Sequence, residues 1–214
     1  MTFSYETQKI SDGATLVIGC DEVGRGCLAG PVVAAAVAVS AVPSEQKIFS
    51  EITDSKILSP KKREELSEVI KRNFSWAIAE VSHETVDAIN IHNASLKAMR
   101  AGVHKLLEGL PNGQGKNSLN VHVFVDGKFT LPEMSMPQEA IIDGDAKVFC
   151  IAAASIIAKV YRDALMRELS GRYPAYSFEK HKGYATLEHR KAVMAHGLSP
   201  IHRRSFCKQY IEQK

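Results

Sequence analysis

Acidic side chains follow apolar segments at several points of this sequence, where strands are predicted to end. The four residues in such positions are Asp21, Glu22, Asp126 and Asp145. Residues at the ends of neighbouring strands in an α/β sheet tend to meet at one edge, where ligands commonly bind. The pattern therefore predicts that the four carboxylates lie close together. The alternative is that they are scattered surface acids or helix caps.

Converging carboxylates raise one another's pKa, because each negative charge disfavours ionisation of the next. A divalent cation removes this conflict, and ligands that offer only oxygen select a hard ion such as Mg²⁺ or Mn²⁺. Two such ions about 3.5–4 Å apart would activate a water molecule and stabilise the leaving oxygen in phosphodiester cleavage. The four acids thus predict a site for two divalent ions, Mg²⁺ or Mn²⁺.

A glycine-rich turn follows the first acidic pair directly. It consists of Gly24, Arg25 and Gly26. Because glycine has no side chain, the backbone N–H groups of such a turn can approach phosphate or hydroxyl oxygens of a ligand. Alone, the turn indicates only a tight bend, but beside two carboxylates it indicates a ligand site.

Strands and helices alternate around these residues. Strands are predicted at residues 14–20, 30–39, 75–81, 119–125 and 140–142. Helices are predicted from residue 60, from about 96 to 110, from 149 to about 169 and from 186 to about 196. The segment 111–118 is predicted to be a loop, since it is rich in glycine, asparagine and proline. The first two strands resemble a hairpin, so the order predicts an α/β fold with a mixed sheet.

Composition places the chain among ordinary globular proteins. With 214 residues, of which 45% are hydrophobic and 24% charged, we expect a single domain and exclude disordered, collagen-like and coiled-coil classes. The four cysteines form no C-x-x-C pair, which argues against a zinc cage and fits a reducing cytosol. Apolar runs are far shorter than the ~20 residues that span a bilayer, and the start has no export signal. A cytoplasmic protein that does not enter membranes is predicted.

The charge is distributed unevenly along the chain. The formal net charge is +3, yet residues 176–214 contain eight lysines and arginines against three glutamates. A locally basic face on a weakly charged protein favours a polyanionic partner such as a nucleic acid. The alternative is a solvated surface helix.

Six sets of short motifs occur in order between residues 15 and 206. They are DEVGRG at 21–26 with LAGPVVAAAV at 28–37, DSK at 54–56, VDG at 125–127, GDAK at 144–147 with IAAASIIAKV at 151–160, HKGYAT at 181–186 and SPIHRRSF at 199–206. Together they resemble the motifs of ribonuclease HII, the bacterial type 2 ribonuclease H. The resemblance covers most of the chain.

This resemblance implies a ribonuclease H-like core at residues 1–170, in which helices flank a mixed α/β sheet. It implies a basic helical C-terminal extension at 171–214 that packs on the core. The implied activity is hydrolysis of the RNA strand of RNA–DNA hybrids. The family also nicks duplex DNA on the 5′ side of a single embedded ribonucleotide, leaving 3′-hydroxyl and 5′-phosphate ends. We expect a monomer without an obligate protein partner.

The functional residues of the family carry over position by position. The implied catalytic and metal-binding residues are Asp21, Glu22, Asp126 and Asp145. The implied contacts to the nucleotide with the 2′-hydroxyl are Gly24, Arg25 and Gly26. Tyr184 is implied to stack under the sugar of that nucleotide. Candidate phosphate contacts, or else ordinary surface lysines, are Lys56, Lys180 and Lys182.

Two further acids lie near these motifs. Many relatives have lysine at the position of Asp143, which in an extended chain would share a face with Asp145. Asp163 lies in the middle of a predicted helix, so we expect it to form an ion pair rather than to bind a metal ion.

Two other functions remain open from the sequence. A hybrid-binding protein without catalysis is disfavoured, because four anions would weaken phosphate binding. A different metal nuclease or an integrase on the same core is disfavoured by the glycine turn and Tyr184, which serve 2′-hydroxyl recognition.

Overall fold

Five strands and seven α-helices form over residues 1–43, 47–110 and 120–211, which the computed structural model describes. The strands are β1 (Leu16–Val23), β2 (Val32–Val39), β3 (Ser75–Val81), β4 (Val121–Asp126) and β5 (Gln138–Ile141). The helices are α1 (Ser4–Ser11), α2 (Pro60–Asn73), α3 (His83–Gly109), α4 (Phe149–Arg172), α5 (Phe178–His181), α6 (Leu187–His196) and α7 (Arg204–Ile211). The predicted loop at 111–118 lies outside the described residues.

The strands form one mixed sheet in the order β3-β2-β1-β4-β5. β1 and β2 are antiparallel, as are β2 and β3, whereas β4 runs parallel to β1 and β5 runs parallel to β4. The predicted α/β fold with a mixed sheet is confirmed. In the parallel pair Cys20 lies beside Val125, so the next residue of each strand, Asp21 and Asp126, comes at the same edge of the sheet.

Both faces of the sheet are covered by helices. α4 packs against β1 and β2 on one face, and α3 packs against β1, β2 and β3 on the other. Every residue of β2 is buried, which explains its continuous run of valine and alanine, since a strand covered on both faces has no polar side. None of the helices within the described ranges is long and apolar enough to cross a membrane.

The start of α4 lies directly on β1. Gly19 makes this possible, because a Cβ atom there would come within 2.4 Å of the backbone of Cys150 and Ile151. The carboxylate of Glu6 accepts a hydrogen bond from the backbone N–H of Cys150 at 2.8 Å. Burial raises the pKa of Glu6. Helix α1 therefore caps the N-terminal end of the helix that covers the sheet.

The C-terminal helices pack on α4 and on the chain after the glycine turn. Their shared apolar cluster comprises Ala29, Met166, Tyr176, Phe178 and Val193. Since α4 itself continues to Arg172, the expected boundary at residue 170 falls inside its last turn. The division into 1–170 and 171–214 stays a prediction.

Three local features differ from the sequence-based expectation. β1 does not end before Asp21 but continues to Val23, because its pairing with β2 extends to Val33. Helices α1, α5 and α7 were not individually predicted. Helix α3 begins well before residue 96 and is broken at Asn90, whose φ is 65° and ψ is 166°. The other predicted helices and strands are confirmed within a few residues.

Replacement of Gly19 by alanine is expected to destabilise the protein, because the new methyl group meets the backbone of α4 rather than a movable side chain. Overpacking of this kind costs about 1–3 kcal/mol. We expect Tm to fall by roughly 2–12 °C in a thermal melt, since 1 kcal/mol shifts Tm by roughly 2–4 °C at this size. Gly171→Ala is the matched control. It lies in α4, and no described atom lies within 4 Å of its added Cβ, so its Tm should hold or rise slightly. Equal melting of Gly19→Ala and the wild type would contradict the close contact.

Candidate active site

The four predicted acids lie around one edge of the sheet. Asp21 and Glu22 are at the end of β1, Asp126 ends β4, and Asp145 lies in the short turn that follows β5. Asp21 and Asp145 are each 6% exposed. The negative charges of Glu22 and Asp126 act on Asp21, and that of Asp145 acts on Asp126. The structure thus brings the predicted acids into one electrostatic cluster.

The turn after β5 supports this cluster. The backbone N–H of Gly144 donates a hydrogen bond of 2.8 Å to Oδ1 of Asp126. A Cβ atom at Gly144 would lie 2.6 Å from Ile151 and 3.1 Å from that same oxygen. Asp143 adopts a left-handed conformation with φ of 54° and is exposed. The chain is therefore not extended here, and the face that Asp143 was expected to share with Asp145 does not form.

Burial and repulsion between the carboxylates raise the pKa of Asp21 and of Asp126. Burial raises the pKa of Asp21 well above its usual range, and the charges of Glu22 and Asp126 raise it further. A hydrogen bond from Ser155 and the N–H of Glu22, 2.7 Å from Oδ1 of Asp21, act in the opposite direction. Burial and the charge of Asp145 also raise the pKa of Asp126. Among the described residues no lysine, arginine or histidine forms an ion pair with either of these two inner acids.

Two cations contact the outer members of the cluster. Nζ of Lys56 lies 2.9 Å from Oδ2 of Asp145, and this hydrogen bond raises the pKa of Lys56. Nη1 of Arg25 lies 2.8 Å from Oε1 of Glu22. Across 1–43, 47–110 and 120–211, no three histidine, cysteine, aspartate or glutamate side chains are gathered closely enough to hold a metal ion. The predicted ligands share a site but do not form a closed coordination shell.

Lys56 reaches the acids because its loop is attached to α4. The hydroxyl groups of Ser55 and Ser155 are 3.0 Å apart and buried, and Arg63 donates a 2.7 Å hydrogen bond to the carbonyl of Ser55. Ser155 also contacts Asp21. The DSK motif is thereby joined to the same part of α4 that supports the acidic cluster.

The glycine turn lies between two other backbone segments. The N–H of Leu28 donates to the carbonyl of Gly183, and the N–H of Arg203 donates to the carbonyl of Leu28, each at 2.8 Å. Gly24 has a φ of +94°, which favours glycine. A Cβ atom at Gly26 would meet no described atom within 4 Å. The segment just after the turn is thus held from both sides, and the turn itself is open at Gly26.

Two fully buried arginines hold this turn, and sequence reasoning missed both. Arg162 donates to the carbonyls of Pro31, Lys182 and Ala29 at 2.9–3.1 Å. Arg203 donates to the carbonyls of Gly30 and Arg25, and burial lowers its pKa to about 10. Helical periodicity contained a signal for Arg162, since it lies four residues from the buried Ala158 and Met166 and so on the same face.

Tyr184 lies beside the turn, where it pairs with Cys27 in an isolated antiparallel bridge. Its side chain is 39% exposed, and Nζ of Lys159 lies 5.8 Å from its ring centroid. Burial raises the pKa of its phenol. Lys159 also forms a 2.7 Å ion pair with Asp163, as expected for that acid.

The remaining candidate lysines lie just before Tyr184. Lys180 forms an exposed ion pair with Glu188 at 2.8 Å. Nζ of Lys182 donates to the carbonyl of Glu179, and burial lowers the pKa of Lys182. Neither ammonium is placed on the acidic cluster by these contacts, unlike that of Lys56.

A cavity of about 330 Å³ opens beside the acids. Its lining includes Glu22, Arg25, Asp126, Lys128 and Phe129. Cavities of about 760 and 720 Å³ lie elsewhere, and none of the four acids is among their lining residues. The cavity beside the acids is thus smaller than these two.

Substitution Asp21→Asn is expected to raise Tm at neutral pH. Because the folded-state pKa of Asp21 lies above the unfolded value, ionisation opposes folding as the pH rises through the folded pKa. Asparagine keeps the acceptor for the N–H of Glu22. We expect Tm to rise by a few degrees at pH 7.5 in EDTA, with the gain shrinking toward pH 4. Asp143→Asn, an exposed acid nearby, should leave Tm unchanged. A lower Tm for Asp21→Asn at pH 7.5 would show that the charge stabilises the fold.

Comparison with known sequences agrees with this geometry. The family model described as Ribonuclease HII matches residues 18–209. A Ribonuclease HII of Caldicellulosiruptor saccharolyticus is 42% identical over 210 residues, covering 98% of this chain and 95% of that protein. A Ribonuclease HII of Borrelia hermsii is 47% identical over 192 residues, covering 89% of this chain and 98% of the relative.

Comparison with solved structures supports the fold. The crystal structure of Bst-RNase HIII in complex with Mn²⁺ superposes with a TM-score of 0.70 at 18% identity, covering 94% of this chain and 70% of that one. The ribonuclease H-like fold implied by the motifs is thereby confirmed. From the match of nearly the whole sequence, the chain belongs to the ribonuclease HII family of endoribonucleases, which cleave RNA in RNA–DNA hybrids, including single ribonucleotides embedded in DNA.

Proposed function

We propose that this chain hydrolyses the phosphodiester bond on the 5′ side of a ribonucleotide, leaving 3′-hydroxyl and 5′-phosphate ends. The substrates are RNA–DNA hybrids and duplex DNA with single embedded ribonucleotides. One observation carries the proposal: the acidic cluster continues directly into an open glycine turn, so chemistry and recognition lie a few residues apart. The catalytic residues in this proposal are Asp21, Glu22, Asp126 and Asp145.

The donor set fits divalent metal ions. All four side chains offer oxygen only, which suits Mg²⁺ or Mn²⁺. Burial and the neighbouring carboxylates raise the pKa of Asp21 and Asp126, and a bound cation would favour their ionised forms. The Mn²⁺ complex of Bst-RNase HIII, a protein of the same fold, supports this choice. When bound, two such ions would supply activation of the attacking water and stabilisation of the leaving 3′-oxygen.

The protein groups around the acids orient them for this role. The N–H of Gly144 donates to Oδ1 of Asp126 and so fixes the orientation of this carboxylate. Lys56 contacts only Oδ2 of Asp145 and Arg25 contacts only Oε1 of Glu22, so each carboxylate has a second oxygen that can ligate a cation. The side chain of Lys56 is largely exposed, so its ammonium, which has three donors, can also contact a substrate phosphate.

Recognition of the ribonucleotide falls to the turn and to Tyr184. Only the 2′-hydroxyl distinguishes this nucleotide from its neighbours, so groups that hydrogen-bond it must provide the discrimination. The backbone of Gly24, Arg25 and Gly26 can do so at the open position of Gly26. Tyr184 offers a flat apolar face for the sugar. An all-DNA duplex leaves the polar groups of the turn unpaired and is rejected.

Lysines position the duplex in this proposal. Lys56, Lys180 and Lys182 contact phosphates, which orients the substrate without reading its sequence. Lys180 and Lys182 belong to the C-terminal extension, residues 171–214, together with Tyr184. The extension thus forms part of the substrate surface next to the core, residues 1–170.

We further propose that the protein acts as a monomer in the cytoplasm. One chain supplies the acids, the turn and Tyr184, so no partner residue is needed to complete the site. The cysteines in the described residues are free and buried, which suits a reducing compartment.

The test is a nicking assay on duplex DNA with one embedded ribonucleotide in Mg²⁺ or Mn²⁺. We expect a single cut on its 5′ side that EDTA abolishes. Asp126→Asn should reduce the rate by several orders of magnitude without unfolding the protein, because the substitution removes the charge but keeps the shape of a proposed metal ligand. Asp143→Asn removes a nearby exposed charge and should retain wild-type activity.

Three results would contradict the proposal. Near-wild-type cleavage by Asp126→Asn would overturn the metal assignment. Cleavage of an all-DNA duplex would overturn 2′-hydroxyl recognition and favour a different metal nuclease. Binding of both ribonucleotide substrates without cleavage in either metal would favour the hybrid-binding protein.

A further inference from the structure

Three buried histidines lie behind Tyr184, and the proposed chemistry uses none of them. His181, His189 and His202 are 7%, 0% and 2% exposed. The rings of His181 and His189 stack with centroids 4.3 Å apart. Buried polar rings are costly unless they are hydrogen-bonded, so their contacts indicate what they do.

The contacts of His202 and His189 allow one arrangement of protons. The backbone N–H of Ser199 donates to Nδ1 of His202 at 2.9 Å, so the proton of the neutral ring is on Nε2. That nitrogen lies 3.0 Å from Nε2 of His189 and donates to it. The proton of His189 is therefore on Nδ1, which donates to the carbonyl of Tyr184 at 2.9 Å. A directional chain thus runs from Ser199 to Tyr184.

The two rings stay neutral in the working range of pH. Burial lowers the pKa of both His189 and His202 to about 4. The charge of His181 lowers it further for each, and His202 is also affected by His189 and His83. Near neutral pH the direction of the hydrogen-bond chain is therefore constant.

The hydrogen-bond chain joins two segments that lie on either side of residues 27–29, which follow the glycine turn. His202 pairs with Ala29 in an antiparallel bridge, and Tyr184 pairs with Cys27 in another. The side-chain link from His202 through His189 to Tyr184 connects these outer segments around the central one. Movement of Tyr184 away from the turn would break this link.

We propose that His189 and His202 are positioning residues that fix the Tyr184 carbonyl, and so hold the Tyr184 ring beside the glycine turn for ribonucleotide recognition. The proposal rests on the role of Tyr184 in the proposed function. Neither histidine touches the substrate in this proposal. A purely packing role would make the same residues matter for stability but not for recognition.

The test is a double-mutant cycle between His189 and Tyr184, measured as kcat/KM for nicking at a single embedded ribonucleotide. His189→Leu keeps apolar bulk but removes both hydrogen bonds. We expect it to lower kcat/KM about tenfold, since one buried hydrogen bond near 1.4 kcal/mol corresponds to a factor of 10. In the Tyr184→Ala background the same substitution should cost less than threefold, because the ring it positions is absent.

Two further variants separate positioning from packing. His189→Asn places an amide N–H near the position of Nδ1, so it should restore most of the activity that His189→Leu loses. Tyr176→Phe removes a 3.0 Å hydrogen bond to the Gly197 carbonyl in the same packed region. It should leave kcat/KM unchanged. Thermal melts establish that each variant is folded.

A measurement on the wild-type protein does not depend on how well the variants fold. Imidazole ¹⁵N chemical shifts between pH 6 and 8 should show His202 protonated at Nε2 and His189 protonated at Nδ1. The opposite tautomer at His189 would overturn the proposal, since no donor would then face Tyr184.

The outcomes of the cycle are distinguishable. An equal loss from His189→Leu in both backgrounds would show a general structural effect and overturn the positioning role. Impaired Tyr184→Ala with unimpaired His189→Leu would overturn the positioning role alone. Unimpaired Tyr184→Ala would remove Tyr184 from the proposed function and the histidine pair with it.

Discussion

Repulsion between carboxylates at the ends of two parallel strands is the constraint on which the site depends. β1 and β4 are in register, so Asp21 and Asp126 end at the same edge, and burial raises the pKa of both. Hydrogen bonds and ion pairs partly stabilise the ionised carboxylates. Ser155 donates to Asp21, the N–H of Gly144 donates to Asp126, and Lys56 and Arg25 contact the outer acids Asp145 and Glu22. These donors offset the repulsion only in part, and the same deficit makes the site suited to divalent cations.

Around the glycine turn, buried arginines are hydrogen-bonded to backbone carbonyls, whereas the acidic cluster brings carboxylates together. The neighbours of the turn, Arg162 and Arg203, are fully buried, yet their described hydrogen bonds go to backbone carbonyls and not to carboxylates. A guanidinium can serve several carbonyls at once because its donors lie in a rigid plane, so each arginine joins segments that have no side chains to contribute. These two buried positive charges also lie near a turn that is proposed to contact the 2′-hydroxyl of a polyanionic substrate, and solvent screens buried charges only weakly.

Local pattern predicted much of this arrangement, and contacts distant in the sequence explain what it missed. The acids were predictable because strand ends and parallel order together place Asp21 beside Asp126. Helix α1 was not, since the buried carboxylate of Glu6 that ties it to Cys150 lies 144 residues away in the chain and looks like an ordinary surface acid. The spacing of Asp143 and Asp145 suggested an extended chain, but residue spacing does not reveal a left-handed conformation such as that of Asp143. The link between His189 and His202 depends on how the chain turns after α6, which spacing alone does not specify.

Covalent proximity couples recognition to cleavage in the proposed mechanism. Only Glu22 and Val23 separate Asp21 from Gly24, and three residues span at most about 11 Å even when fully extended. A ribonucleotide held at the turn can therefore present to the acids only a phosphate close to its own sugar. The residues that follow the turn, 27–30, are held by backbone contacts with residues 183–184 and 201–203. In the proposed mechanism the short link from Asp21 to Gly24 thus sets which bond lies at the acids, and the glycine turn together with Tyr184 sets which nucleotide is accepted beside it.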